Sequence, residues 1–155
     1  MTLLKFVFAM FLSFLPGLVG VMFAPIESGA NVWYNSLNNS MLAPDGWVFS
    51  VVWMILYFLL GLSLFFVMQK HNNTKTSAYI LFVVHMVLNA LWSFVFFGLH
   101  LPEIALLILT ALIITAIFMA LAFLKISKSA FWLTIPYIIW LAFAFYLNGI
   151  IIYLN

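Results

Sequence analysis

The apolar residues of this chain fall into five long, almost uninterrupted runs separated by polar connections. Continuous apolar runs are typical of membrane-spanning helices, whereas the strands of a membrane β-barrel alternate. Each run has 22 to 25 residues, and about 20 are enough to cross a hydrocarbon core of about 30 Å. The pattern therefore predicts one all-α domain, residues 1–155, built as a bundle of five transmembrane helices. The predicted spans are Leu3–Ala24, Gly46–Gln69, Ser77–Leu99, Pro102–Leu124 and Ala130–Leu154.

Composition supports a membrane protein and excludes several other classes. Hydrophobic residues make up 68% of the chain and charged residues 5%, whereas a soluble domain carries about 25% charged residues. A net charge of +2 implies no nucleic-acid partner. The absence of cysteine excludes disulfides and thiolate metal sites. We interpret the first run as a retained helix, because its apolar stretch is longer than that of a usual signal peptide.

The charged residues separate by sign when the connections are numbered alternately. All five lysines fall on one side and all three acids on the other. Because lysine-bearing ends stay cytoplasmic, we expect the N-terminus inside and the C-terminus outside. The residues concerned are Lys5, Lys70, Lys75, Lys125 and Lys128 on the first side, and Glu27, Asp45 and Glu103 on the second.

The connection between the first two spans, Pro25–Asp45, is much longer than the others and lies on the acidic side. It contains the adjacent aromatic residues Trp33 and Tyr34 together with Pro44. Long loops with such content tend to cover a site. We therefore expect this segment to act as a lid.

Three spans carry aromatic or polar residues at every fourth position, which places each set on one helix face. Polar groups at membrane depth usually face the bundle interior. Converging faces would line a cavity for a flat, mostly apolar ligand with one or two polar groups. Packing inside the bundle explains the same pattern equally well. The faces are Phe49, Trp53, Tyr57 and Gly61 in span 2, His85, Asn89 and Ser93 in span 3, and Pro136, Trp140, Ala144 and Asn148 in span 5.

The sequence predicts neither a catalytic constellation nor a metal site. The three histidines lie in different loops or at different depths, which argues against a shared metal. His85 could ligate a haem iron, although a lone histidine on a helix face is more often a hydrogen-bonded interior residue. No span contains paired acidic and basic residues, which disfavours an ion-coupled pump.

Three motifs, in this order and at these spacings, resemble the tryptophan-rich sensory proteins. These are the bacterial branch of the translocator protein (TspO/MBR) family, also called peripheral-type benzodiazepine receptors. The motifs are Trp33-Tyr34 followed by Pro44 and Phe49-x-x-x-Trp53-x-x-x-Tyr57, then Asn89-x-x-Trp92-Ser93, and then Pro136-Tyr137-x-x-Trp140-x-x-x-Ala144.

The resemblance implies a usually dimeric five-helix protein of the bacterial cytoplasmic membrane that senses or transports tetrapyrroles. Porphyrin would be a ligand, with no obligatory cofactor, and isoquinoline or benzodiazepine-type drugs would bind the same pocket. Two alternatives remain open. One is a porphyrin-degrading enzyme that depends on light and oxygen and uses Trp53 and Trp140. The other is a structural subunit of a membrane complex.

The resemblance also implies which residues bind the ligand. Trp33, Tyr34 and Pro44 would form the lid. The pocket wall would be lined by Trp53, Tyr57, Asn89, Ser93, Trp140, Ala144 and Leu147, and the spacing of the faces adds Phe49 and His85.

The chain departs from the family pattern in three places. The segment Asn39–Asp45 lacks two prolines and an aromatic residue of the family loop, so we expect a looser lid. His85 stands where the family often has glutamine, and its imidazole is expected to alter ligand choice or make binding pH-sensitive. No basic residue follows Tyr146 or Tyr153, as the cholesterol motif of animal members requires, so sterol binding there is not expected.

Overall fold

The computed structural model describes residues 2–23, 29–70 and 75–155. Five of its helices are long and apolar enough to cross a membrane, which confirms the predicted all-α bundle. The predicted boundary at Ala24, together with Pro25 and Glu27, lies outside the described residues. The described helices are α1 (Thr2–Phe23), α2 (Gly29–Ser36), α3 (Gly46–Gln69), α4 (Lys75–Ser93), α5 (Pro102–Leu124) and α6 (Lys128–Leu154), and a π-helical turn, Phe94–Gly98, prolongs α4.

Two elements were not predicted. The helix α2 lies within the connection that the sequence indicates only as a loop. The π-helical turn widens the last turn of span 3, a distortion often found near functional sites. Both lie at the end of the bundle that carries the acids.

The five spans close into a ring, because each packs against two others in the order α1, α3, α6, α5, α4. Their outer faces are apolar and exposed, as expected for surfaces in contact with lipid. The inner faces carry a buried core that includes Leu60, Leu112 and Tyr137. The interior of this ring is where α3, α4 and α6 direct their polar residues.

Helix α1 packs closely against α3 because glycines, which have no side chain, stand where the two helices cross. A Cβ atom added at Gly61 would lie 3.2 Å from the Cα atom of Met10 and 2.6 Å from Oγ of Ser13. A Cβ atom added at Gly17 would lie 2.8 Å from Cε2 of the Tyr57 ring. Gly17 therefore leaves the space into which the Tyr57 ring fits, beside the site described next.

Candidate functional site

A continuous chain of hydrogen bonds crosses the centre of the bundle and joins four of the spans. Tyr57 of α3 donates its hydroxyl to Oδ1 of Asn89 in α4, at 2.9 Å. The Nδ2 group of Asn89 donates to the hydroxyl of Tyr137 in α6, at 2.6 Å. The same hydroxyl lies 2.8 Å from Nε2 of His85, whose Nδ1 is 2.9 Å from Oγ1 of Thr115 in α5.

The partners within this hydrogen-bond network determine which group donates and which accepts in each bond. Thr115 donates its hydroxyl to the carbonyls of its own helix, at Ala111 and Leu112, so its oxygen accepts from Nδ1 of His85. Nε2 of His85 then accepts from the Tyr137 hydroxyl, which itself accepts from Asn89. This is the arrangement in which every donor has an acceptor, and it assigns a neutral histidine with its proton on Nδ1.

Aromatic rings from α3, α4 and α6 surround this hydrogen-bond network. The Trp53 ring stacks on Tyr57 at a centroid distance of 5.5 Å and lies 6.1 Å from the ring of Tyr137. It also contacts the rings of Trp92, at 6.3 Å, and Trp140, at 6.5 Å. We call these five residues, Trp53, Tyr57, Trp92, Tyr137 and Trp140, the aromatic cluster.

Trp140 differs from its neighbours because its polar atom has no partner. Within the described part of the chain, its indole Nε1 is buried and makes no hydrogen bond. By comparison, Nε1 of Trp92 donates to Oδ1 of Asn148 at 3.4 Å. A buried donor without an acceptor costs free energy unless a ligand supplies the acceptor. The Trp140 indole is therefore a candidate for binding a polar group of a ligand.

The acid-bearing end of the cluster is covered by the lid, which we define as residues 29–45. The Trp33 ring stacks on the imidazole of His100 at 4.4 Å and contacts the ring of Phe96 at 5.5 Å. The Tyr34 ring contacts Phe96 and Phe97 of the π-helical turn. Burial there raises the pKa of the Tyr34 phenol above its usual value, so the group is neutral at physiological pH.

The far end of the lid is fastened to α6 by side-chain hydrogen bonds. The backbone N–H of Asn38 donates to Oδ1 of Asn155 at 2.9 Å, and Nδ2 of Asn155 donates back to the Asn38 carbonyl at 3.1 Å. The hydroxyls of Ser40 and Tyr146 lie 3.2 Å apart. We call these contacts the lid clasp.

The structure brings most of the predicted site residues together, but in different roles. Tyr57 bonds directly to Asn89, and Asn89 and His85 both bond to the Tyr137 hydroxyl. Phe49 packs on Trp140 at 5.5 Å. Ser93 instead faces α1, since a Cβ atom added at Gly20 would lie 3.5 Å from its hydroxyl. The other predicted positions are buried or half-buried on the lid or along α6, namely Trp33, Tyr34, Pro44, Ala144 and Leu147.

Some residues of the site were not among the predicted set. Tyr137 bonds to both Asn89 and His85, although it lies one position after the proline that the spacing of span 5 indicates. Thr115 belongs to span 4, which carries no polar face. The stacking of His100 on Trp33 depends on the turn between α4 and α5, where His100 adopts a φ of 57°. Of these residues, Tyr137 could have been identified from the sequence, because it stands in the motif that begins at Pro136.

These features define a small membrane protein whose five-helix bundle encloses an aromatic and hydrogen-bonded interior beneath a lid. The model of the TspO/MBR family matches residues 8–154, and the chain belongs to that family. It is 35% identical to the tryptophan-rich protein TspO of Chlorobaculum tepidum, over 90% of this chain and 88% of that protein. It is 31% identical to the protein of the same name from Archaeoglobus fulgidus, over 100% and 99% of the two chains. It is also 31% identical to the translocator protein of Bos taurus, over 86% and 82%.

Proposed function

We propose that this protein binds a tetrapyrrole within the aromatic cluster and serves as a membrane sensor or transporter of such molecules. The observation that carries the proposal is the convergence of four aromatic rings on Trp53, one of them Trp140, whose buried indole Nε1 has no hydrogen-bond partner in the described part of the chain. A porphyrin is a flat apolar macrocycle with carboxylates at its edge. Aromatic faces suit the macrocycle, and a buried indole N–H suits a carboxylate.

Ligand binding requires the rings to separate. A flat molecule between two ring faces needs about 7 Å from face to face, because carbon atoms in contact lie about 3.5 Å apart. The rings of Trp53 and Tyr57 are stacked with centroids only 5.5 Å apart, and the Trp140 ring stands perpendicular to that of Trp53, at 89° and 6.5 Å. At least one ring must therefore move when the macrocycle enters.

The ligand would enter from the acid-bearing end of the bundle, beneath the lid. Trp53 and Trp140 are half-buried, and Phe49 packs on Trp140 toward the end of α3 that follows the lid. Among the described contacts, lifting the lid breaks the exposed bonds of the lid clasp, the ring contacts of Trp33 and Tyr34, and the packing of Leu37 against the core. Those contacts are individually weak, since a net hydrogen bond contributes about 0.5 to 1.5 kcal/mol.

The proposal is tested by titrating purified protein with protoporphyrin and following the porphyrin absorption band. Trp140→Phe keeps an aromatic ring but removes the N–H donor. A hydrogen bond to a charged group contributes about 1.5 to 3 kcal/mol, so the affinity should fall by a factor of about 10 to 150. Trp132→Phe is the matched control, because Trp132 is on the same helix but 66% exposed.

Two results would contradict the proposal. The first is unchanged affinity when Trp53→Phe, Trp140→Phe and Asn89→Ala are combined. The second is an equal loss of affinity in Trp132→Phe and Trp140→Phe, since the loss would then not depend on the cluster. Illuminating the complex separates binding from the enzymatic alternative, because an enzyme would give one defined product that depends on Trp140.

A further inference from the structure

An apolar furrow runs along the outside of the bundle between α1 and α4, away from the aromatic cluster. It consists of two adjoining cavities of about 350 Å³ and about 280 Å³. Leu12, Phe82 and Val83 line both cavities, so the two lie side by side along the same pair of helices. On α1 the furrow extends from Phe8 to Met22, which corresponds to roughly 21 Å at 1.5 Å per residue.

Two lysines lie at one end of this furrow. The ammonium groups of Lys5 and Lys75 both donate to the carbonyl of Met68, at 3.2 Å and 3.4 Å, and Met68 itself lines the furrow. Lys5 precedes Phe8 by three residues and Lys75 precedes Tyr79 by four, so each lysine shares a helix face with a furrow residue. The furrow therefore runs from a pair of cations into the membrane interior.

The charge at this end is not balanced by acids of the chain. The connections on the lysine-bearing side contain no Asp or Glu. An ammonium group has three donors, and in the described part of the chain each of the two lysines directs one of them to Met68. Further donors can therefore bind an anion that lies between Lys5 and Lys75.

We propose that the furrow is a binding site for one anionic glycerophospholipid. Its phosphate lies against Lys5 and Lys75, and one acyl chain lies along the furrow between α1 and α4. One leaflet of the hydrocarbon core is about 15 Å thick, half of about 30 Å, so the furrow is long enough for an acyl chain. Charge complementarity at one end and an apolar lining along the rest together favour a lipid over a soluble anion.

Native mass spectrometry of the full chain in detergent tests this proposal. The protein is titrated with dioleoyl phosphatidylglycerol and, in parallel, with dioleoyl phosphatidylcholine, which has no net charge. We expect tighter binding of the anionic lipid. Lys5→Gln and Lys75→Gln should each weaken it about fivefold, the typical effect of one basic residue at an anionic membrane surface. The same substitution at the exposed Lys128 should have no effect, because Lys128 lies on α6, a helix that does not line the furrow.

A second pair of variants tests the furrow itself. Val83 lines both cavities and is 50% exposed, whereas its neighbour Val84 is 43% exposed and lines neither. Val83→Phe fills the furrow and should weaken binding of the anionic lipid several-fold, while Val84→Phe should not. Both positions face outward, so both variants should fold.

Three outcomes would overturn the lipid site. Equal binding of the two lipids that ignores Lys5→Gln and Lys75→Gln would indicate a general lipid coat. Displacement of the lipid by glycerol 3-phosphate, with no effect of Val83→Phe, would indicate a site for soluble phosphate. A change in the monomer–dimer ratio of Val83→Phe without any change in lipid affinity would indicate that a second copy covers the furrow.

Discussion

Replacing Tyr137 with phenylalanine removes one oxygen from the centre of the bundle and leaves two other groups without partners. The hydroxyl accepts from Asn89 at 2.6 Å and donates to His85 at 2.8 Å. Hydrogen bonds between helices of membrane proteins contribute about 0.6 kcal/mol on average and about 1.7 kcal/mol at most. Two lost bonds should therefore destabilise the fold by about 1.2 kcal/mol, with an upper value of about 3.4 kcal/mol.

Tyr57→Phe is the matched comparison, because it removes the same atom type from the same network. The Tyr57 hydroxyl makes one bond, to Asn89, and its ring is also buried. We therefore expect a smaller loss, about 0.6 kcal/mol. Both tyrosines bond to Asn89, so the destabilisation of the double variant should differ from the sum of the two single destabilisations.

The measurement is the free energy of unfolding in mixed micelles at increasing denaturing detergent. The reasoning would be refuted if Tyr57→Phe destabilised the protein as much as Tyr137→Phe. It would also be refuted if the two substitutions were strictly additive, because the network would then not act through Asn89.

Three further predictions concern helix packing, the lid and orientation. Gly61→Ala should destabilise the fold by about 1 to 3 kcal/mol, because its Cβ atom meets α1. Gly149→Ala should not destabilise the fold, because a Cβ atom added there has no neighbouring atom within 4 Å. Equal unfolding midpoints of the two variants would contradict this prediction. Asn155→Ala removes the Asn38–Asn155 bonds of the lid clasp and should speed proteolysis of the lid several-fold relative to Asn35→Ala at an exposed position. Equal cleavage rates would exclude a clasp at Asn155. A reporter fused after α6 should give an outside signal, and a cytoplasmic signal would reverse the predicted orientation.

The spans could be predicted because their signal is local. An uninterrupted apolar run of more than about 20 residues has few structural alternatives in a membrane. The same local rule failed for α2, whose eight residues are too few to form a stable helix alone. Its position depends on the contacts of Trp33 and Tyr34 with a turn more than sixty residues later, which no window of the sequence contains.

In the candidate site, the sequence predicted which side chains face the interior but not which groups they bond to. Spacing placed Asn89 and His85 on one interior face, and the structure puts both there. It did not predict that their polar groups would bond to Tyr137 and Thr115, which lie on two other spans. Periodicity along one helix gives the direction of a side chain, whereas its partner depends on how the helices are arranged in the ring.

The lid clasp has a consequence for the order in which the protein matures. Asn38 and Asn155 are 117 residues apart in sequence, and their bonds require α6 to be in the membrane. At a synthesis rate of about 5 to 20 residues per second, roughly 6 to 23 s pass between translation of the two residues. During that interval the aromatic residues of the lid have no completed surface to cover. The lid of the nascent chain therefore stays open until the fifth span has inserted. The chain must tolerate this open state or be protected during it.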